Sequence, residues 1–331
     1  MRGNVRWISQ LALAITLAAT AGMQALAQRH SYPLRPVHVL IPFAPGGASD
    51  FVARIVLSRF AETTGQQAII DNRPGAAGNI AMEAAARAAA DGYTVFFGNV
   101  GTIAINPRLY SSLTVNPARD FVAVTRLAGI PGVMVVHPSF PARTVRELIA
   151  YAKKAKGSVN YGSPGQGSAH RILMELFKKR AAIDLGEVPY KGGAGPAITG
   201  VVGGETAVAF ATTASVLQFI KAGRLRPIAT MTEARLSALP DVPTLPESGF
   251  PELVDSQWQG LFVPHNTAPD VVERLNAVTL QLVRSDEVRR RLALGSAEPM
   301  PTATPAEFAA FVAAESRRWG GIVQDVGAKI D

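Results

Sequence analysis

One rhythm constrains this chain more than any other feature. A short β-branched run, a glycine-bearing turn and a helical repeat follow one another again and again along 331 residues. Val37 to Pro42 reads as a buried strand, Ala44-Pro45-Gly46-Gly47-Ala48-Ser49 as a turn, and Phe51, Val52, Ile55, Val56 and Phe60 recur at helical spacing. Gln67 to Asp71 predicts a second strand. Asn79 is placed to cap a helix running through Ala90, which Asp91-Gly92 stops, and Thr94 to Gly98 predicts a third strand.

The rhythm resumes after Pro131. Gly132 to His137, Val159 to Gly162, Glu187 to Tyr190, Ala207 to Phe210 and Leu225 to Thr230 read as strands. Between them, Thr144 with Glu147 spells a capping box for a helix ending at Gly157, and Ser168 is placed to cap a helix through Lys179. Further helices are expected from Ala194 and over Val216 to Ala222. A proline-rich stretch, Leu239 to Pro246, precedes a strand over Trp258 to Pro264. Three helical stretches close the chain: Pro269–Arg284, Asp286–Leu294 and Pro305–Val326. Strands alternating with helices imply an α/β protein with parallel sheets covered on both faces. Prolines 131, 138 and 141, and those from 240 to 251, mark two crossings between two α/β domains. Residues 28–128 and 254–331 then form a discontinuous first domain, and 129–253 the second. Ligands of such sheets bind beyond the carboxyl ends of the strands, so two facing domains enclose a cleft that can close about a hinge. Trp258 is expected to pack in the core beside that hinge.

The first residues predict export. Arg2 and Arg6 form a positive start, Ile8 to Ala21 an apolar stretch, and Ala25-Leu26-Ala27 a small-x-small cleavage signal, giving a leader over 1–27 and a mature start at Gln28. The apolar stretch is shorter than the ~20 residues that span a bilayer. Removing Arg2 and Arg6 takes the formal charge from +8 to +6. The absence of cysteine excludes disulfides, thiolate metal sites, a cysteine nucleophile and a lipoprotein anchor. Basic residues are interspersed with acids rather than interleaved with aromatics, which argues against a nucleic-acid partner.

Four glycine turns carry the candidate chemistry: Pro42 to Asp50, Asn99-Val100-Gly101-Thr102, Ser163 to Ser168, and Tyr190-Lys191-Gly192-Gly193. Glycine lets backbone N–H groups approach a ligand, and a helix N-terminus adds partial positive charge. Two turns per domain suggest an oxyanion cradle of backbone amides and hydroxyls. His170 stands where a dinucleotide fingerprint needs its third glycine, and no Walker lysine follows any turn, so no nucleotide cofactor is expected. The histidines, at 30, 38, 137, 170 and 265, form no metal-binding pair, and no Gly-x-Ser-x-Gly elbow exists. His170 reads as structural or ligand-adjacent. No nucleophile–base set can be named, which disfavours an enzyme.

Several stretches together resemble the tripartite tricarboxylate transporter receptors, or Bug solute-binding proteins. They are Pro42-Phe43-Ala44-Pro45-Gly46-Gly47 with Asp50 and Arg54, Asn72-Arg73-Pro74-Gly75-Ala76-Ala77-Gly78, Asp91-Gly92-Tyr93-Thr94, and Tyr161-Gly162-Ser163 with Gly165, Gly167 and Ser168. Val188-Pro189-Tyr190-Lys191-Gly192, Pro243-Thr244 with Glu247 and Gly249, and Trp258 with Gly260 complete the match over essentially the whole mature chain. The resemblance implies a type II periplasmic-binding fold closing on a carboxylate. It points to Phe43, Ala44, Gly47 and Ser49 in one domain and to Ser163, Gly167, Ser168 and Tyr190 in the other. With Gly46, Asp50, Asn99, Thr102, His170, Lys191, Ala211 and Thr212, these form the candidate ligand-binding set. Relatives often carry aspartates where this chain has Ala207 and Ala211. Ala211 is expected at a strand end facing the cleft, so its missing charge points to a ligand without an amino group, such as a larger or aromatic carboxylate. The expectation is a monomeric periplasmic receptor with no cofactor or metal. It would deliver a small carboxylate to the membrane subunits of a tripartite transporter or to a sensor kinase. The alternatives are a periplasmic enzyme working on a carboxylate in the same cleft, and an envelope-interaction protein.

Overall fold

Residues 37–129 and 259–299 build one sheet and residues 132–230 the other, and the carboxyl edges of the two sheets meet at the crossings between them. The computed structural model describes residues 32–330 apart from Lys156, Lys191 and Gly192, so the expected leader lies outside the described residues. The first segment folds as β1 (Val37–Ile41), α1 (Ala48–Leu57), α2 (Phe60–Thr64), β2 (Ala68–Asn72), α3 (Asn79–Ala86) and β3 (Thr94–Asn99). A π-helical turn over Gly101–Ile105 then leads into α4 (Asn106–Leu109), α5 (Pro117–Asp120) and β4 (Phe121–Gly129). The second segment supplies β5 (Gly132–Val136), α6 (Val145–Ala155), β6 (Asn160–Ser163), α7 (Ala169–Ala181) and β7 (Gly186–Pro189). It continues as α8 (Ala194–Val202), β8 (Val208–Thr212), α9 (Thr213–Lys221) and β9 (Arg226–Thr230). The chain then returns through β10 (Gln259–Pro264), α10 (Pro269–Arg284), α11 (Asp286–Leu294), β11 (Glu298–Pro299) and α12 (Pro305–Val326). No helix among the described residues is long and apolar enough to cross a membrane.

The sheets are mixed rather than parallel. One has six strands in the order β11-β4-β10-β3-β1-β2, the other five in the order β7-β6-β8-β5-β9. β1 lies parallel to β2 and β3, but β10 runs antiparallel to both β3 and β4. In the second sheet β6 is parallel to β7 and β8, whereas β5 is antiparallel to β8 and β9. The reversals arise because β5 and β10 are the strands entered directly from a crossing, without an intervening helix to carry the chain back. β4 escaped the sequence reading because polar Thr125 and Arg126 interrupt its apolar run. The helical stretch after Gly101 escaped it because Pro107 reads as a breaker, yet it sits in the first turn of α4, where no N–H is needed.

The local differences are equally physical. α1 stops at Leu57, and Phe60 begins a separate helix. Asn79 does not cap α3; Gly78 holds that position, and the Asn79 Oδ1 instead accepts from Asn106 Nδ2 at 2.6 Å. Thr144 Oγ1 does accept from Glu147 N at 3.2 Å, but the Glu147 carboxylate returns to Arg143 N at 2.6 Å rather than to Thr144. The two crossings lie side by side: Pro131 bridges Ser256, Gly132 N donates to Asp255 O at 3.1 Å, and Gln257 N donates to Ile130 O at 3.0 Å. Pro138 and Pro141 lie at the opposite end of β5 from this point and mark no crossing.

One apolar cluster bridges both sheets, joining Phe96 and Phe121 of the first to Met134 and Phe210 of the second and to Phe177 on α7. Trp258 is 1 % exposed, as its place beside the crossing predicted. Helix α12 seals the seam with buried Phe308, Trp319, Ile322 and Val323. Burial of each such side chain stabilises by about 1.5–3 kcal/mol.

Candidate functional site

Register places the candidate turns. Because β1, β2 and β3 are parallel, Ile41, Asn72 and Asn99 end at one edge, and Gln259, at the start of antiparallel β10, sits opposite Asn99. In the second sheet Ser163, Pro189 and Thr212 end at the edge where Gly132 begins β5. The two edges meet: a Cβ built on Gly167 would stand 3.2 Å from the Tyr110 hydroxyl and 3.5 Å from Ala77 Cβ. The turns after β1, β2, β3, β6, β7 and β8 therefore face one cleft, and Gly167 closes one side of it.

Within the first turn, Asp50 is the organiser. It is 4 % exposed. Its carboxylate accepts from Gly46 N at 2.9 Å, from Arg54 Nε at 2.9 and 3.0 Å, and from Asn72 Nδ2 at 3.1 Å. Burial alone would raise its pKa, but the Arg54 guanidinium, the Gly46 amide and Asn72 together hold it below the usual carboxylate range. Asp50 thus points into the turn rather than at a ligand. Asn72 also donates to Phe43 O at 2.9 Å, fixing the carbonyl side of the loop. Gly46 adopts a φ of +84°, a left-handed conformation that favours glycine. The Ser49 hydroxyl is buried and donates to Gln259 Oε1 at 2.9 Å. Ala44 and Gly46 are exposed, and Phe43 and Gly47 are half-buried at the mouth of the turn.

The turn after β2 is strained. Ala76, Ala77 and Gly78 have φ of +45°, +53° and +93°, and non-glycine residues in this region each cost about 1–2 kcal/mol. Gly78 is confined as well: a Cβ there would lie 2.7 Å from Thr102 Cγ2 and 2.8 Å from Pro42 Cβ. Asn106 Nδ2 steadies the run by donating to Ala77 O at 3.0 Å.

Several candidates are engaged elsewhere. Asn99 and Thr102 bond each other: Thr102 N donates to Asn99 Oδ1 at 2.9 Å and Asn99 N to Thr102 Oγ1 at 3.1 Å. Ser163 is fully buried, and its Oγ accepts from Gly165 N at 3.2 Å. Burial would raise the Glu187 pKa, but the Ser163 hydroxyl and Arg171 lower it overall. His170 faces the crossing. Its Nε2 lies 3.3 Å from Asp255 Oδ2 but off the hydrogen-bond line, and so has no bonded partner among the described residues. Thr212 pairs its hydroxyl with Ser215 Oγ at 2.8 Å. Lys191 lies outside the described residues.

Two candidates are corrected. Tyr190 turns away from the cleft: its hydroxyl donates to Glu205 Oε2 at 2.9 Å, and its ring covers Gly200, where a Cβ would clash with it. Only its backbone remains at the edge. Ala211 is 1 % exposed and belongs to the core cluster of Val133, Ile198, Ala209 and Val216. β8 extends to Thr212, one strand period beyond the expected end, so Ala211 shares Ala209's inward face. Ala207 lies before the other end of β8. Neither alanine faces the cleft, and the inference of a ligand lacking an amino group loses its basis.

What remains at the edges is a set of helix starts. Five helices begin there, after Gly47, Gly78, Ser168, Gly193 and Thr212, and none has a side-chain cap. Ser168 occupies the cap position it was expected to fill, yet its hydroxyl bonds no backbone amide. Of the helices that start elsewhere, four are capped, by Asn116, Thr144, Ser285 and Thr304, and those after Arg59, Ile105 and Ala268 have no side-chain cap. First-turn amides without an intrahelical partner, backed by the helix dipole, accept anionic oxygens. Sequence reasoning missed Asn72 and Gln259 as supports for this cradle. A buried amide at a strand end beside a glycine turn was the available signal.

Comparison with known proteins agrees with this arrangement. A sequence model described as the tripartite tricarboxylate transporter family receptor matches residues 52–328. Protein BugT of Bordetella pertussis is 34% identical over 313 residues, covering 94% of this chain and 95% of BugT. Rpa4515 of R. palustris, solved with adipate, superposes with a TM-score of 0.82 at 32% identity, covering 90% of this chain and 100% of that one. MatC from Rhodopseudomonas palustris, solved with bound malate, gives 0.79 at 31% identity, covering 88% and 100%.

Proposed function

The chain belongs to the tripartite tricarboxylate transporter receptor family, and on that premise we propose that it is a periplasmic receptor. It captures a small organic carboxylate between its two units and delivers it to a membrane transporter or sensor. The observation that carries this reading is convergence: five helix starts without side-chain caps, from both sheets, gather at the facing edges. Asn79 N donates to Ala76 O and Thr213 N to Pro131 O, and the other first-turn amides are open to an acceptor from outside the protein; a carboxylate supplies up to four lone-pair sites. Adipate and malate in similar proteins support the substrate class.

In this account recognition is conformational. The amides after Gly47 belong to the first unit and those after Ser168 and Gly193 to the second. One ligand carboxylate, or two on one ligand, bridges both sets and favours the closed arrangement. Gly167 makes that approach possible because it adds no side chain between Ala77 and Tyr110. Native mass spectrometry of the protein purified without added solute tests the proposal. Release of an organic acid on denaturation supports it, whereas a neutral or cationic solute as the sole passenger contradicts it.

A further inference from the structure

A cavity of about 520 Å³ opens on the flank of the crossings, away from the glycine turns, and its walls come from both units. Arg126 on β4 and Phe311 on α12 line one side, and Val254 and Trp258 of the second crossing line the other. The Arg126 guanidinium lies 4.3 Å over the Phe311 ring and donates from Nε to Met300 O at 2.7 Å. Its two terminal nitrogens make no hydrogen bond among the described residues, and no carboxylate there comes within ion-pair distance. Glu315, the nearest acid, is already engaged: it accepts from Trp258 Nε1 at 3.0 Å, Trp319 Nε1 at 3.2 Å and Arg318 Nη1 at 3.3 Å. Burial pushes the Arg126 pKa down, with Glu315 opposing in part. A half-buried cation without a counter-ion is costly unless something supplies the charge.

We propose that this cavity is a second ligand site, separate from the cleft, that takes a small monocarboxylate with an aromatic or branched apolar body. The free fork of Arg126 matches a carboxylate bidentately, and Phe311, Trp258 and Ile322 receive the apolar part. Arg318 at the wall is paired with Glu315 and Glu252 with Arg180, so Arg126 and Glu233 are left, and Glu233 disfavours a second negative charge on the ligand. Because both units form the walls, occupancy biases their relative position and couples to the cleft.

The site stands on Arg126 and is tested apart from the cleft. Trp258 lines the cavity, so 4-bromobenzoate, whose bromine quenches indole fluorescence, is the probe. The proposal expects saturable quenching in the wild type and in Gly47→Leu, which alters only the first glycine turn. It expects binding weaker by roughly tenfold or more in Arg126→Gln. Arg126→Lys keeps the charge and loses the fork; it too should bind more weakly while melting with the wild type, which separates lost binding from lost folding. Non-saturable quenching in the wild type, quenching unchanged in both Arg126 variants, or quenching abolished by Gly47→Leu would overturn the site.

Discussion

Gly167 and Ala77 face each other across the cleft so closely that a Cβ at 167 would stand 3.5 Å from that of Ala77 and 3.2 Å from the Tyr110 hydroxyl. The turn after β6 therefore rests on the turn after β2. Replacing Gly167 with Val should wedge these edges apart. Overpacking of this kind weakens ligand binding by roughly tenfold. Calorimetry checks the affinity, and small-angle scattering should show the ligand-induced compaction reduced. Wild-type affinity in the variant would mean that the edges do not close on the ligand.

Asp50 holds the first turn through Gly46 N, Arg54 and Asn72. Asp50→Asn removes the charge and leaves a buried site short of acceptors, at a cost of about 1–3 kcal/mol. The pH sign follows from its lowered pKa. The stabilisation is present above the ordinary carboxylate range and is lost as pH falls through the folded value. Melting curves from pH 6 downward should show a smaller loss of stability in Asp50→Asn than in the wild type.

Tyr190→Phe tests the orientation of a residue whose sequence context pointed to the ligand. The hydroxyl bonds Glu205, which lies just beyond the C-terminal end of α8, whereas the cleft lies at its N-terminal end. Removing it should leave ligand affinity unchanged and cost at most about 1 kcal/mol of stability. An affinity loss as large as that of Gly47→Leu would place the ring at the ligand after all.

Ala211→Asp tests the other correction. The position is 1 % exposed among Val133, Ala209 and Val216. A carboxylate buried there without a partner should destabilise by about 3 kcal/mol or more. Thermal melting reads this directly. An aspartate variant as stable as the wild type but with altered ligand preference would restore Ala211 to the cleft.

These cases show where the sequence was legible. The three closing helices were readable to the residue because Pro269, Ser285 and Pro305 mark their starts and their apolar stripes are regular. The glycine turns were readable as turns because positions such as Gly46, Gly165 and Gly193 have positive φ. What a turn's side chains touch was not. Asp50, Asn99 and Thr102 satisfy the turns themselves, and Asn72 and Gln259, the partners of Asp50 and Ser49, arrive from other strands. β4 was hidden because Arg126 breaks its apolar pattern, and only the assembled fold supplies the cavity and the Phe311 ring that accommodate it. Ala211 was misplaced by the end of one strand, since a shift in strand boundary decides which face a residue occupies.

The central claim is that uncapped amides at the facing edges bind carboxylate charge. Isothermal calorimetry tests it most directly, using a panel of aliphatic and aromatic mono- and dicarboxylates in which each acid is paired with its neutral amide. At least one acid should bind, and at a hundredfold excess over its dissociation constant it should stabilise the fold by about 2.7 kcal/mol. Its amide should not bind, and Gly47→Leu should abolish the heat. Binding of an amide as tight as that of its acid, or no binding by any acid in the panel, would contradict the account.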